Sequence, residues 1–340
     1  MHMADALLSP EVGAVMWAAS AGATVYAAKK INDVDMSEKK LPVMAVSGAF
    51  VFAAQMINFT IPGTGSSGHI GGGILLAALL GEFPALITLS AVLVIQCLFF
   101  ADGGLLALGA NIFNMGVIPC LVVYPLVFRP FLKRGIMKRK LTAASVLAPV
   151  IGLQLGAFFV VIETLASGIT QLPFMTFLSL MQPIHLAIGL GEGAVTAAVL
   201  VFVWQMRPEL IQSSVLKHKL HAKVSMRKVT VILAALAILV GGVLSLYASS
   251  NPDGLEWSME KTAGTTELEA QGFVYRVVSG IQEKMSFLPD YDFKAGQGKG
   301  TGISGVIGAI ITSVLALGAG FVITFIKRKR KNGRYAEQTE

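Results

Sequence analysis

Charge is scarce in this sequence. Asp, Glu, Lys and Arg make up 14% of its 340 residues, against roughly a quarter in soluble domains. With 54% hydrophobic residues and a mean hydropathy of +0.69, a water-soluble enzyme is excluded. Cysteine is nearly absent. Cys97 and Cys120 lie in apolar stretches without C-x-x-C spacing, which excludes a disulfide framework and leaves two small core residues. No Lys or Arg precedes Lys29, so the first segment lacks the basic n-region of a cleaved signal peptide. The stretch "AASAGA" offers the small residues of a cleavage region, yet retention of residue 1 is expected. No G-x-x-x-x-G-K-[ST] motif occurs, and the run "GTGSSGHIGGG" has neither that ending nor a basic residue for phosphate. Energy for uphill work therefore comes from a partner chain or an ion gradient. Nor is there a nucleophile, base and orienter set that would support a membrane enzyme.

What is present is apolar sequence in separate blocks of about 18 to 25 residues, enough for a helix to cross a hydrocarbon core of about 30 Å. The short alternating segments of a membrane barrel are missing. The blocks fall at 10–28, 41–58, 68–81, 83–101, 104–128, 143–167 and 183–206, followed by 229–249 and 303–326. The fold class is an all-α polytopic membrane protein: seven helices, then two further transmembrane helices flanking an extracytoplasmic loop. Block 68–81, "GHIGGGILLAALLG", is short and glycine-rich. A tilted, broken or re-entrant helix is open there, since irregular backbone at membrane depth needs burial in protein.

All but five of the 27 Lys and Arg residues cluster in the connectors after the first, fifth, seventh and ninth blocks. The five exceptions, Lys261, Arg276, Lys284, Lys294 and Lys299, lie between the last two blocks. The positive-inside rule then predicts the N-terminus outside and the C-terminus inside. The net charge of +7 reads as a topogenic signal and a surface for anionic membrane lipid. It gives no support to nucleic-acid binding. His218 and His221 sit in the basic connector and read as a solvated face.

His2 is different, because a histidine in position two offers three nitrogens in one short chelate: the amine of Met1, the backbone amide of His2 and its imidazole. The bulk of His2 protects Met1 from removal, and deformylation frees the amine. The predicted topology puts the loop around His69 on the same side, where its imidazole would complete a square plane. All-nitrogen square-planar sites point to Ni(II) or Cu(II), whereas zinc prefers a tetrahedron and magnesium prefers oxygen. On spacing alone two readings stay open: this chelate, or a frayed His2 with His69 as an ordinary interfacial residue. Polar groups at or within the blocks are candidates for shaping such a site or for holding helices together. They include Gln55, Asn58, Ser67, Gln96, Asp102, Asn111, Asn114, Gln154, Glu163, His185 and Glu192. The bland alternative to a site role is interhelical hydrogen bonding.

The stretches "MHMADALLSPEVGAVMWA", "FVFAAQMINFTIPGTGSSGHIGGG", "DGGLLALGANIFNMGV" and "HLAIGLGEGAVTAAVL", in that order, resemble the CbiM/NikM family of substrate-capture components of energy-coupling-factor nickel and cobalt importers. The resemblance covers residues 1–210. The last part, with "NPDGLEWS" and "SFLPDYDF", looks like a PDGLE-type (NikN-like) component fused behind it. The chain divides accordingly into a capture domain, 1–210, a basic linker, 211–228, and an accessory domain, 229–340. The resemblance implies a metal held by Met1, His2 and His69, with Asn58, Ser67, Asn111, Asn114, His185 and Glu192 around it or on a coupling surface. It also implies a transmembrane coupling (T) subunit and cytoplasmic ATPase (A) subunits on separate chains. No prosthetic group is expected; the metal is the substrate. The fused unit inclines the choice to Ni(II), with Co(II) for cobalamin synthesis as the alternative. A stand-alone secondary transporter or channel is a further one. Asp253, Glu256, Asp290 and Asp292 read as a solvated contact surface in a small outer loop, or as groups that attract divalent cations.

Overall fold

The computed structural model describes residues 1–31, 39–220, 225–294 and 300–337, with side chains described as far as Lys329. His221, Lys223 and Lys299 lie outside the described residues. The chain begins with an extended segment, Met1–Ala4, before helix α1, Pro10–Lys30. Ser9 accepts from Val12 N at 3.4 Å and Pro10 opens the first turn, the usual chemistry of a helix start. Helix α2, Lys40–Gln55, leads to a hairpin of β1, Phe59–Ile61, and β2, Ser66–Gly68. Phe59 pairs with Gly68 and Ile61 with Ser66. Gly63 and Gly65 take positive φ in the turn, as such turns require.

Next come α3, Gly73–Leu80, and α4, Glu82–Phe100. Block 68–81 is therefore no full transmembrane helix. Eight residues of helix reach about 12 Å, and all eight are buried in protein. The preceding backbone is irregular, and side chains satisfy its polar groups in place of a helical ladder. The Glu192 carboxylate accepts from Gly71 N and Gly72 N, each at 2.9 Å, while Gln55 Nε2 donates to Gly71 O at 2.8 Å. That is the condition under which bilayers tolerate broken helices.

Helix α5 runs Leu108–Leu132, with wide π-type turns over Phe113–Phe128 that contain Pro119 and Pro125. Helices α6, Lys138–Ser167, and α7, Phe174–Met206, pack with little room between backbones. A methyl group on Gly189 or Gly193 would meet the Cα atoms of Val150 or Val146 at 3.0 or 2.8 Å. Gly191 faces Phe59 of the hairpin with a similar lack of space, at 2.7 Å. Helix α8, Pro208–Leu216, closes the far end of α3, where the Ser214 hydroxyl donates to Ala78 O and Lys217 pairs with Glu82 at 2.7 Å. Among the described residues, α4, α5, α6, α7 and the last helix are long and apolar enough to span a bilayer. The chain is a polytopic all-α membrane protein.

The C-terminal part of the chain contributes α9, Arg227–Gly242, α10, Gly254–Ala263, α11, Phe273–Met285, and α12, Thr301–Glu337. The expected small outer loop thus carries two helices of its own. Helices α9 and α12 lie on α2, with Phe52 seated where a side chain at Gly308 would be. Between them, α10 and α11 sit over the end of the bundle that carries Met1.

Candidate metal centre

The first three residues are threaded into the protein. Asn111 holds Met3 by both backbone groups, accepting from Met3 N at 2.7 Å and donating to Met3 O at 3.1 Å. Gly104 N donates to the same carbonyl at 2.9 Å, and the Asp5 carboxylate accepts from Ala107 N at 3.0 Å. Met3 is fully buried. This anchoring fixes where Met1 and His2 come to lie, and it excludes the frayed N-terminus left open by spacing alone.

The Met1 ammonium, on a residue whose side chain is 4% exposed, donates to His69 Nε2 at 2.8 Å. His69 Nδ1 donates to Ile70 O at 3.0 Å, which fixes the tautomer and leaves the Nε2 lone pair facing the amine. With metal–nitrogen bonds of about 2.0 Å, neighbouring corners of a square lie about 2.8 Å apart. The amine and Nε2 therefore stand at the separation of two adjacent ligands. The His2 ring stacks on that of His69, centroids 5.0 Å apart and planes 18° from parallel. Its Nδ1, the nitrogen that closes a chelate ring with its own backbone amide, is 3.1 Å from Asp102 Oδ1. The ring must turn from Asp102 to join a square with the other nitrogens. Burial, with the Met1 ammonium next, pushes both imidazoles down to about 3. Both are neutral at pH 7, the form that ligates metal.

Among the described residues, no three His, Cys, Asp or Glu side chains converge as a metal site. The Met1 amine is what makes the cluster a candidate. The remaining residues singled out in the sequence lie close by in different roles. Asn114 Nδ2 donates to Glu163 Oε2 at 2.8 Å, and its backbone carbonyl lies beside Gly156, against which the Met1 side chain packs. Glu192 shapes the turn after His69. Asn58 lines the adjoining cavity and accepts from Ser249 N at 2.7 Å through its carbonyl. Ser67 donates from its backbone N to Pro252 O at 2.8 Å and from its hydroxyl to Asn251 O at 2.7 Å. His185 is buried behind Met1, with Nδ1 donating to Met181 O at 2.8 Å. A cavity of about 680 Å³, lined by His2, His69, Asp102, Asp253, Glu256 and Tyr291 among others, adjoins the cluster.

Sequence reasoning missed the part played by Asp253. It is no solvated surface group: its Oδ2 lies 2.6 Å from the Met1 ammonium, with its side chain 13% exposed. Burial pushes the carboxyl up, but the ammonium and then His69 outweigh this and hold it below the usual carboxylate range. The one local signal was D-x-x-E, a helix start, since Asp253 and Glu256 form a reciprocal capping box on α10. Asp102 was seen as a polar residue, but nothing local linked it to His2.

Residues 2–210 match the family described as "Cobalt uptake substrate-specific transmembrane region", CbiM, and residues 227–325 match the PDGLE domain. A putative fused nickel transport protein NikMN from Archaeoglobus fulgidus is 32% identical over 94% of this chain and 97% of its own length. The fused nickel transport protein NikMN of Rhodobacter capsulatus is 33% identical over 62% of this chain and 64% of its own. A putative cobalt transport protein CbiM from Haloquadratum walsbyi is 33% identical over 63% of this chain and 98% of its own. A solved structure described as a transition metal transporter, 32% identical, superposes on 64% of this chain and all of that one with a TM-score of 0.54.

Proposed function

From the premise that the chain belongs to the CbiM family of metal transport proteins and carries a PDGLE domain behind it, we propose that it captures Ni(II) for an energy-coupling-factor importer. The ligands are the Met1 amine, the amide nitrogen and Nδ1 of His2, and His69 Nε2. The pairing of the Met1 amine with His69 Nε2 at 2.8 Å carries this reading. Closing the chelate requires the amine and the His2 amide to give up protons, and their nitrogens then set a strong planar field. Co(II) is the competing substrate, because an all-nitrogen site takes both. The likeness, over nearly the full length of both chains, to a protein described as a putative fused nickel transport protein supports nickel.

The capture domain is residues 1–210, joined through 211–228 to the accessory domain, 229–340. The cluster faces the extracytoplasmic side and the C-terminus the cytoplasm, a reading supported by the positions of the basic connectors. A transmembrane coupling subunit and ATPase subunits on other chains drive release inward. The test is metal titration of the purified full chain with an unmodified N-terminus, followed by the visible absorption of square-planar Ni(II). One extra residue before Met1 moves the amine out of the chelate and abolishes the band, as does His69→Ala. Unchanged binding in both variants overturns the assignment. ATP-independent uptake by vesicles holding this chain alone would overturn the need for partners.

A further inference from the structure

The accessory domain touches the candidate site with a short motif whose every residue has a visible job. In Asn251–Glu256, the carbonyls of Asn251 and Pro252 receive the Ser67 hydroxyl and backbone N–H of the His69 hairpin. Gly254 passes where a side chain would meet Ile188 at 2.7 Å and His185 at 3.1 Å. Leu255 is buried, and Glu256 returns a hydrogen bond to Asp253 N at 3.0 Å. The next residue, Trp257, donates from Nε1 to Thr64 O at 3.0 Å, pinning the hairpin turn. Asp253 is divided between two tasks. Its Oδ1 caps α10, accepting from Leu255 N and Glu256 N at 2.8 and 2.9 Å, while Oδ2 reaches the Met1 ammonium at 2.6 Å.

Resting on the capture reading above, we propose that Asp253 is a positioning residue of the metal site, supplied in cis by the accessory domain. A chain terminus has no preceding peptide to orient its amine, so its place beside His69 must be set by contacts. Asp253 is the charged contact among the described residues, and the capping box holds its carboxylate in place. The same negative charge lies beside the point at which a divalent cation would sit. The motif thus joins three things: the hairpin that carries His69, the amine, and an anion that favours a cation between them. Carboxylates that orient ligand atoms in this way contribute about 10- to 100-fold to metal affinity.

The experiment titrates Ni(II) into the full chain with an unmodified N-terminus and into its Asp253→Asn and Asp253→Ala variants. Affinity is read by chelator competition and ligand geometry by the absorption of the bound ion. Asn caps helices as well as Asp, so Asp253→Asn removes the charge and keeps the cap. The expected result is a 10- to 100-fold weaker affinity for Asp253→Asn with the absorption spectrum unchanged. Wild-type affinity in Asp253→Asn, whether or not Asp253→Ala is impaired, would leave only a capping role and overturn the proposal. A changed spectrum in Asp253→Asn would also overturn it, making Asp253 a ligand. His69→Ala run in parallel separates the two readings. If it loses the band while Asp253→Asn matches wild type, only the role of Asp253 fails; if it keeps the band, the capture site itself fails.

Discussion

Asn111 shows how far a candidate site of terminal nitrogens depends on residues that never touch the metal. It sits in α5 and grips Met3 by both backbone groups, two residues from the amine. In Asn111→Ala the buried Met3 N–H loses its partner, a cost of about 1–3 kcal/mol. The terminal segment gains freedom that metal binding must then remove. Expected is a 10- to 100-fold loss of Ni(II) affinity with the absorption of the bound ion unaltered, measured by chelator competition. A shifted absorption spectrum would instead mean that Asn111 directs which atoms ligate. At this scale the sequence was partly informative. Residue types singled out His2 and His69 as candidate ligands, because an imidazole in position two stands next to a terminal amine, but spacing alone left the frayed alternative open. The partners of Asn111, Glu192 and Asp253 were out of reach, because their contacts join positions 108, 120 or 121, and 252 residues apart. No periodicity encodes such pairings.

Among elements, the contact of α9 with α12 is set by glycine. A Cβ on Gly302 would stand 2.5 Å from Gly242 O, and one on Gly305 would overlap the Gly241 carbonyl. The helices approach backbone to backbone, as small residues allow in membranes. Gly305→Val therefore pushes against a peptide group that cannot turn away, and a cost near 3 kcal/mol is expected, the upper part of the usual overpacking range. Gly318, on the same helix with nothing within 4 Å, is the control, and Gly318→Val should be nearly neutral. Thermal unfolding of the full chain in detergent compares the two; equal midpoints would remove the close contact. Block lengths made these helices legible in the sequence, since about 20 apolar residues have few other uses. They did not reveal that block 68–81 contains only eight helical residues. Apolarity reports burial, and α3 is as buried by protein as a lipid-facing helix is by lipid.

For the whole molecule, the candidate centre lies at a seam. Its nitrogens come from the N-terminal segment and the hairpin, and the accessory region binds both margins. Besides Asp253 and the Ser67 contacts, Tyr275 of α11 donates to Leu8 O at 2.8 Å, Gln282 to Gly103 O at 2.7 Å, and Tyr291 to Asp102 Oδ2 at 2.5 Å. On the proposed assignment, a metal drawing these nitrogens together would act on segments distant in sequence. By linkage, Ni(II) at about 100 times its dissociation constant adds about 2.7 kcal/mol to folding stability if it binds only the folded chain. Local opening of the seam should be suppressed along with global unfolding. Hydrogen exchange should accordingly slow on Ni(II) addition in residues 1–4, 66–72 and 251–258 as one group. In the variant with an extra residue before Met1, none of the three should respond. Protection confined to 1–4 and 66–72 would mean that the accessory region sits beside the site without sharing its energetics, and that its contacts with the hairpin serve assembly alone.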